Sequence, residues 1–473
     1  MKKIFLPVLL IITLLTACNN SSSWKRELSH DQLMTNSSRS EKNGWIVVHL
    51  EGSPEAIGYQ HGFLLAGEIT DLRSAIDVLN KNTTGRDWNF YREESYKMFW
   101  TDMPEEYRKE ITGIAAGVNK KLGEGKIDIK DLVVMNSTLE MAGYYVPWLE
   151  GRKNPMPPEH CSAIAATGSW TSDGGIVMAH NNWSEYIMGE RWNIILDIIP
   201  EKGNRIVMDA PPGFIHSGDD FNINSAGLIV TETTISAFKG FDSTGVAEFV
   251  RARQSIQYAS SIDEWVTIMG EKNNGGYAND WLIGDNKTGE IARYELGLKN
   301  RFIERTKDGY FVGANFPVNE KLIREETTFD PASTDQSANM RRKRWEVLVN
   351  ENKGKITVEK AMVFMADHYD MNRNQERAGR FTLCGHLDDD EAGTTGMTWS
   401  SAHYLAGAVQ AKATDSKLAS KMQFWAIMGH PCGQPFIAAD FLALHPEYNY
   451  QKDLLHDMPG QVWTLFGKTA SPK

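Results

Sequence analysis

Residues 161–183 read CSAIAATGSWTSDGGIVMAHNNW, and this stretch decides the fold. Residues 161–167 are predicted to form a strand, residues 172–175 (Ser-Asp-Gly-Gly) a turn, and residues 176–180 the returning strand. Residues 154–158 (Asn-Pro-Met-Pro-Pro) come just before, and their prolines disfavour a continuous helix. Cys161 therefore stands at the head of a predicted β-hairpin.

The pattern outside this hairpin changes from helix to strand and back. Residues 44–50 read as a strand, a helix begins at Pro54, and residues 102–149 are mostly helical. After the hairpin, strands are predicted at 194–199, 205–208, 228–231, 281–283, 291–294 and 310–312. Further helices are predicted after the capping box of Ser261 and Glu264, after Thr357, and at residues 418–428. The order predicts a layered α+β domain.

Charge excludes two classes of partner. The chain has 473 residues, with 50 Lys and Arg against 61 Asp and Glu, a formal charge of −11. Loss of Lys2 and Lys3 with a leader would make the charge −13. A net-acidic body without a basic run argues against nucleic acid and against electrostatic docking on anionic lipid.

The first residues resemble an export signal. Met1 and two lysines precede a largely apolar run to Leu15, which predicts a signal peptide over 1–17. Because a small residue, Ala17, precedes Cys18, the junction resembles a bacterial lipobox, with Cys18 lipidated; a plain secretory signal is the alternative. Residues 18–44 are predicted to be a flexible tether. No later segment has 18 uninterrupted apolar residues. The prediction is a protein anchored by lipid alone to the bacterial cell envelope, in the outer membrane or periplasm or at the cell surface.

Several common catalytic and metal motifs are absent from the sequence. There is no His-Glu-x-x-His, Gly-x-Ser-x-Gly or Cys-x-x-Cys pair, so neither a metal nor a cofactor is predicted. Besides Cys18, the cysteines are Cys161, Cys384 and Cys432. A disulfide between Cys384 and Cys432 stays open, because sequence does not fix the distance that the bond requires.

The hairpin motifs resemble the phospholipase B-like family. They are Cys-Ser-Ala-Ile at 161–164 and Ala-His-Asn-Asn-Trp at 179–183. Further matches follow in order at 217–221, 227–228, 232–235, 274–275, 277–281 and 315–317. More distantly, the pattern resembles the N-terminal-nucleophile (Ntn) hydrolases related to choloylglycine hydrolase and penicillin acyltransferase.

The resemblance implies a four-layer αββα sandwich and self-cleavage between His160 and Cys161. A helical N-terminal segment, 45–160, would be cut from a core, 161–473, that ends in a helical region. The pieces would have 143 residues (18–160) and 313 residues (161–473), and the first would remain a partner of the second. Cleavage frees an α-amino group on Cys161, and its pKa of about 7.7–8.0 suits a base near neutrality. The thiolate would then form a thioester with the substrate's acyl group.

Three further catalytic residues are implied by position in the resemblance. His180 matches a histidine beside the nucleophile, which would orient the amine or move a proton. Asn315 matches an asparagine that donates to the oxyanion. Arg341 resembles an active-site arginine, with Arg342 and Arg344 as alternatives. Four more residues are predicted to shape or brace the pocket: Asn182, Trp183, Asp219 and Asn279.

The implied substrates are small acyl-bearing molecules, first of all phospholipid or lysophospholipid esters. An amidase or acyltransferase on N-acyl amino acids, peptides or bile-acid-like conjugates is the alternative, although Ser184 stands where bile-salt enzymes have an aspartate. A non-catalytic binding lipoprotein is the alternative of another class, since 14 Trp and 15 Tyr could line a groove. Thiol labelling separates an enzyme from a binder.

Overall fold

A computed structural model describes residues 28–151, 161–218, 220–388 and 406–467. The helices are α1 His30–Leu33, α2 Pro54–Leu64, α3 Ala66–Thr84, α4 Trp88–Phe99, α5 Glu105–Leu122, α6 Ile129–Glu140, α7 Val146–Leu149, α8 Tyr186–Gly189, α9 Glu248–Tyr258, α10 Ile262–Gly270, α11 Glu320–Glu326, α12 Ser337–Glu351, α13 Val358–Met365, α14 Ser416–Ala419 and α15 Ala438–Leu444. A π-helical turn, Met141–Tyr145, joins α6 to α7.

The strands form two large sheets and one small ribbon. They are β1 Ser38–Lys42, β2 Trp45–Gly52, β3 Ser162–Gly168, β4 Gly174–Glu185, β5 Ile194–Pro200, β6 Ile206–Ala210, β7 Phe221–Asn224, β8 Leu228–Thr234, β9 Asn279–Asp285, β10 Glu290–Leu296, β11 Arg301–Thr306, β12 Gly309–Gly313, β13 Tyr369–Asp370, β14 Gln375–Glu376, β15 Ala406–Asp415, β16 Phe424–Met428 and β17 Thr464–Phe466. The first sheet has the order β1-β2-β5-β6-β7-β8-β9-β10-β11, and the second β12-β3-β4-β15-β16-β17. The hairpin predicted at residues 161–180 is confirmed as β3 and β4.

Side chains on β3 alternate between two hydrophobic clusters. Ala163 and Ala165 belong to the main core, which includes residues of both large sheets. Ile164 and Ala166 belong to a second cluster together with Trp345 of α12. Because successive strand residues point to opposite faces, β3 has the first sheet on one side and helix α12 on the other. The α+β class is confirmed, and the arrangement is consistent with a sandwich; the exact four-layer order stays a prediction.

The segment before Cys161 is part of the same core. Strand β2 pairs in parallel with β5, while the other paired strands of the described residues are antiparallel. Helices α2 and α5 pack so closely that a Cβ on Gly58 would lie 1.9 Å from the carbonyl oxygen of Glu110. A Cβ on Gly117 would lie 2.2 Å from the carbonyl oxygen of Tyr59. Only glycine permits this approach of the two backbones.

Two predictions at the ends of the chain are wrong. The tether was predicted to extend to residue 44, but Ser38–Lys42 forms β1 at the edge of the first sheet. This strand is mostly exposed and polar, so backbone pairing with β2 holds it without an apolar pattern. The helix predicted at residues 418–428 is instead α14 followed by β16. Phe424–Met428 is apolar along its whole length and pairs with β15, and such a run does not distinguish strand from helix.

The predicted leader and the lipidation site lie at the start of the sequence. Residues 1–17 and Cys18 are outside the described residues. Within the part of the chain that the structure describes, no helix combines the length and the apolar composition needed to cross a membrane.

Candidate active site

Cys161 lies directly before β3 and is 3% exposed. Its φ of 85° is in the left-handed region, which is unfavourable for a residue with a Cβ. The Cys161 carbonyl accepts a hydrogen bond from Nη1 of Arg341, and the same nitrogen donates to the Ser162 hydroxyl at 3.1 Å. The backbone on the C-terminal side of the cysteine is therefore fixed by a buried cation.

Two strands bring a histidine and a glutamate to Cys161. In the β3–β4 register Ala163 faces His180, so the histidine lies beside the start of β3. Glu232 comes from β8 of the other sheet. The sulfur of Cys161, a ring nitrogen of His180 and a carboxylate oxygen of Glu232 all lie within 4.8 Å of one another. The group is buried between the two sheets.

The His180 ring has a fixed orientation. Its Nδ1 contacts the carboxylate of Asp220, and the ring also donates to the backbone carbonyl of Glu232. Burial lowers the pKa of His180, and the negative charge of Asp220 opposes this effect. The strand pairing and these two partners hold the imidazole next to the thiol.

A buried lysine supports these acidic groups. Nζ of Lys412, on β15, contacts Asp220 and lies 3.2 Å from Oδ2 of Asp209. Burial opposes the ionisation of Asp220, but Lys412 and then His180 lower its pKa well below the usual value. Burial and the neighbouring Asp220 raise the pKa of Asp209 well above its usual value. The lysine therefore keeps Asp220 charged beside His180.

The Cys161 thiol is in surroundings that disfavour its ionisation. Burial raises its pKa well above the usual value, and the negative charges of Glu232 and Asp220 raise it further. A hydrogen bond from the backbone amide of Trp183 acts in the opposite direction. In the intact chain Cys161 is therefore a protonated thiol at neutral pH.

Of the three candidate arginines, Arg341 is the one at the site. Besides its contact with Cys161, its guanidinium lies 4.4 Å from the centroid of a Trp183 ring. Arg342 pairs with Glu346 at 3.2 Å, and Arg344 pairs with Asp367 at 2.6 Å.

Asn315 is joined to the same arginine. Its Oδ1 accepts from Nη2 of Arg341 at 2.8 Å, and its Nδ2 donates to the Thr234 carbonyl at 2.8 Å. Ser337 accepts from Nε of Arg341 at 2.8 Å. Asn315 has a φ of 68°, a left-handed conformation that asparagine tolerates better than most residues. The structure thus brings Asn315 and Arg341 together, and their catalytic roles stay predictions.

The other predicted residues divide into two groups. Asn182 and Trp183 line the cavity at Cys161, and Nδ2 of Asn182 donates to Asp220 at 2.9 Å. With its amide nitrogen turned toward Glu232, Asn279 donates to Oε2 at 2.8 Å. Asp219 and His160 lie outside the described residues.

Four charged residues of this site were not predicted from the sequence. They share one signal, which is a charged side chain at or beside a buried strand: Asp209, Asp220, Glu232 and Lys412. The clearest case is residues 406–414, AGAVQAKAT, where Lys412 is the one charged residue in a run that is otherwise small or apolar except for Gln410. A fully buried lysine requires charged partners, so such a position indicates a carboxylate nearby.

A cavity opens from Cys161 and has mainly apolar walls. Its volume is about 730 Å³, including the part open to solvent. Its apolar side chains come from α3, α6, α8 and the turn after α8. They include Leu79, Leu139, Met188 and Trp192. Two of these helices precede the predicted cut, so the N-terminal segment forms part of the pocket.

The fold and the site define an α+β protein with a buried cysteine at the head of a strand, next to a histidine and a carboxylate. The sequence model of the family described as Phospholipase B matches residues 69–327, and the chain belongs to this family. The predicted resemblance is thereby confirmed, whereas membership of the Ntn hydrolases stays a prediction.

Three relatives illustrate how far the similarity extends. An uncharacterized protein from Archaeoglobus fulgidus is 26% identical over 52% of this chain and 42% of its own length. Phospholipase B-like 1 from Bos taurus is 24% identical over 56% of this chain and 57% of its own. Phospholipase B-like 1 from Homo sapiens is 24% identical over 50% of this chain and 46% of its own length. The chain therefore spans about half the length of these relatives.

Proposed function

We propose that this chain is a cysteine hydrolase that cleaves acyl esters of phospholipid-like substrates through a thioester on Cys161. The observation that carries the proposal is the position of Cys161. Its sulfur lies beside His180 and Glu232 and lines a largely apolar cavity. The names of the bovine and human relatives support a lipid substrate. An apolar wall suits a fatty acyl chain, because its burial is favourable.

The nucleophile is activated by a cut between His160 and Cys161. In the self-cleaving route, the Cys161 thiol attacks the His160 carbonyl, the peptide nitrogen leaves as the new α-amine, and water hydrolyses the resulting thioester. A cut by another protease gives the same chain end. The left-handed φ of Cys161 supports strain at this bond, of about 1–3 kcal/mol for such a residue. Cutting the bond removes that constraint.

After the cut, the free amine acts as the base. It takes the thiol proton, the sulfur attacks the acyl carbon, and the alcohol leaves with the proton returned by the amine. Water then attacks the thioester, the amine takes its proton, and the carboxylic acid is released. Asn315, held by Arg341, is assigned to the oxyanion, and His180 to orienting the amine or moving its proton.

Fragment masses test the proposal. We expect wild type expressed from residue 18 to give pieces of 143 and 313 residues under denaturing conditions, and Cys161→Ala to give one intact chain. Cys161→Ser is the matched control, since a hydroxyl keeps a weaker nucleophile at the same place. An intact and inactive wild type would contradict the proposal, and an intact but active one would remove the α-amine from the mechanism.

Labelling and substrate assays test the acyl chemistry. An electrophilic acyl probe is expected to mark the fragment that begins at Cys161. Persistent labelling in Cys161→Ala would exclude this cysteine as the nucleophile. Ester and amide substrates with the same acyl chain, assayed side by side, measure the preference between the two bonds.

The proposal includes a lipid anchor at Cys18 in a bacterial envelope. The apolar run ending at Ala17 and Cys18 supports it. Cys18→Ser should release the protein from membranes, and continued sedimentation with them would contradict the anchor.

A further inference from the structure

Two histidines and two cysteines meet at a place separate from the catalytic cavity. The group consists of His368, Cys384, His386 and Cys432, and one side-chain nitrogen or sulfur of each lies within 4.8 Å of the others. None of the four lines the cavity at Cys161. Both cysteines are free thiols in this structure.

The spacing of these atoms fits a tetrahedral metal. Nε2 of His386 lies 3.3 Å from the sulfur of Cys384 and 3.2 Å from that of Cys432. With Zn–S of about 2.3 Å and Zn–N of about 2.0–2.1 Å, a tetrahedron puts its corners roughly 3.3–3.8 Å apart. Two sulfur and two nitrogen ligands match a common structural zinc site. The other pairs of ligand atoms lie within 4.8 Å of each other.

Backbone amides donate to the sulfurs of both cysteines. The amide of Cys432 donates to the sulfur of Cys384, and the amide of Gln434 donates to the sulfur of Cys432. A thiolate is the form that binds metal.

Further groups surround the four ligands as a metal site requires. The Asp388 carboxylate lies 3.9 Å from Nδ1 of His386, the nitrogen that faces away from the sulfurs. A carboxylate on that side raises the basicity of a ligand histidine. His368 and Cys432 are half-buried, which leaves a route for an ion to enter.

We propose that His368, Cys384, His386 and Cys432 bind one thiophilic divalent metal ion of the Zn²⁺ class. This inference is independent of the acyl-transfer chemistry. Each ligand thiol that is still protonated gives its proton to solvent when the ion binds, so the affinity falls with decreasing pH. No oxidation or reduction is involved. The sequence predicted no metal, because these ligands are spread over 65 positions and follow none of the usual spacings.

The ion has a structural consequence at the catalytic site. Gly385, between two of the ligands, packs against the indole of Trp183, so that a Cβ on it would lie 2.2 Å from Cε2. Trp183 lines the cavity and lies under Arg341. A metal that fixes the loop at Gly385 therefore fixes one wall of the pocket.

Metal content tests the proposal. The full chain is purified with reductant, loaded with Zn²⁺, desalted and measured by mass spectrometry of the element. We expect about one ion per wild-type chain and at least a tenfold loss in Cys432→Ser and in His368→Gln. A reduced wild type that retains no Zn²⁺ would overturn the proposal, and so would full occupancy in both variants.

Two controls locate the ion. Cys161→Ser removes another thiol beside a histidine, and His430→Gln removes a ring stacked 3.9 Å from that of His386. Both should keep their zinc. If either control loses its zinc while Cys432→Ser retains it, the ion binds at another place and the assignment is overturned.

A third measurement decides the outcome if the variants do not fold. Co²⁺-loaded Cys161→Ser should show the absorption of tetrahedral cobalt bound to thiolates, and its absence overturns the proposal. A disulfide between Cys384 and Cys432, found as a loss of two hydrogens in protein isolated with zinc present throughout, also overturns it.

Discussion

Cys161 and Cys432 both lie beside a histidine, but their electrostatic surroundings are opposite. Around Cys161, burial and the carboxylates of Glu232 and Asp220 raise the pKa of the thiol. Around Cys432, hydrogen bonds from a second thiol and from histidines lower it to about 2. The same side chain is thus kept protonated in one place and charged in the other. Neighbouring charges and donors decide the chemistry of a cysteine, not burial alone.

The comparison also explains why the two sites would be activated differently. The first site lacks a thiolate until a base is supplied, and a new α-amine at Cys161 is such a base. The second site already has four metal-ligating side chains close together, so a cation is sufficient to complete it.

The largest effect is expected at His180. His180→Ala should slow acyl transfer by about 10²–10⁴-fold, the usual effect of losing an acid–base group, measured as kcat with an ester substrate. His180→Gln separates orienting the amine from moving its proton, because glutamine keeps hydrogen bonding but cannot take a proton. If glutamine restores turnover, the histidine positions its neighbours and moves no proton.

The control for this prediction is His49, which also forms a buried pair with an aspartate. Its Nδ1 lies 2.8 Å from Asp197, on β2 and β5. His49→Ala should leave turnover per folded molecule unchanged. Wild-type turnover in His180→Ala would remove His180 from the mechanism.

The next effect concerns the cation that supports the carboxylates. Lys412→Met leaves Asp209 and Asp220 buried without their partner, so the free energy of unfolding should fall by about 3–5 kcal/mol. Urea denaturation measures the change. Lys417→Met is the control, because Lys417 pairs with Asp173 at the surface and such pairs contribute about 0–1 kcal/mol. If Lys412→Met and Lys417→Met lose the same free energy of unfolding, Lys412 does not stabilise the buried carboxylates as described.

A smaller effect is expected at the arginine. Arg341→Lys keeps the charge but loses the planar fork that reaches Cys161, Ser162 and Asn315. Since a hydrogen bond to a charged group contributes about 1.5–3 kcal/mol, fragment formation should slow by roughly tenfold or more. Arg342→Lys, on the exposed side of the same helix, should cleave at the wild-type rate. Similar rates in both variants would argue against the assignment of Arg341.

The smallest effect is a dependence on pH. Because the pKa of the Cys161 thiol is raised, its thiolate fraction in the intact chain should grow about tenfold per pH unit between pH 7 and 9. Alkylation rates, with intact and cut chains resolved by mass, measure this rise. In the cut chain the rise should level off near pH 8, where the α-amine loses its proton. Identical profiles would mean that the amine does not act on the thiol.

Local patterns predicted the elements near Cys161 well. Two short runs around the Ser-Asp-Gly-Gly turn predicted the β3–β4 hairpin. The strands β5, β6, β8, β9, β10 and β12 were found where the apolar runs indicated them. The capping signals at Ser261 and Thr357 precede α10 and α13. These signals lie within a few residues of the element that they define, which is why one sequence is sufficient.

What could not be predicted depends on contacts between distant parts of the chain. Lys412 meets Asp209 across 203 positions, and no local pattern encodes such a pair. Arg341 was recognised through a resemblance, but its choice over Arg342 required the helix orientation. Likewise, Cys384 and His386 are neighbours in the sequence but gave no motif, because His368 and Cys432 come from other segments.

Helix α2 packs closely on α5, and β2 pairs with β5. These contacts determine how many molecules take part when a cut chain unfolds and refolds. Both contacts tie the segment before Cys161 firmly into the core. A chain cut at residue 160 would keep its shape, yet it would unfold into two molecules instead of one. Its refolding would then be a second-order process, and its melting temperature would rise with protein concentration, whereas that of the uncut chain would not.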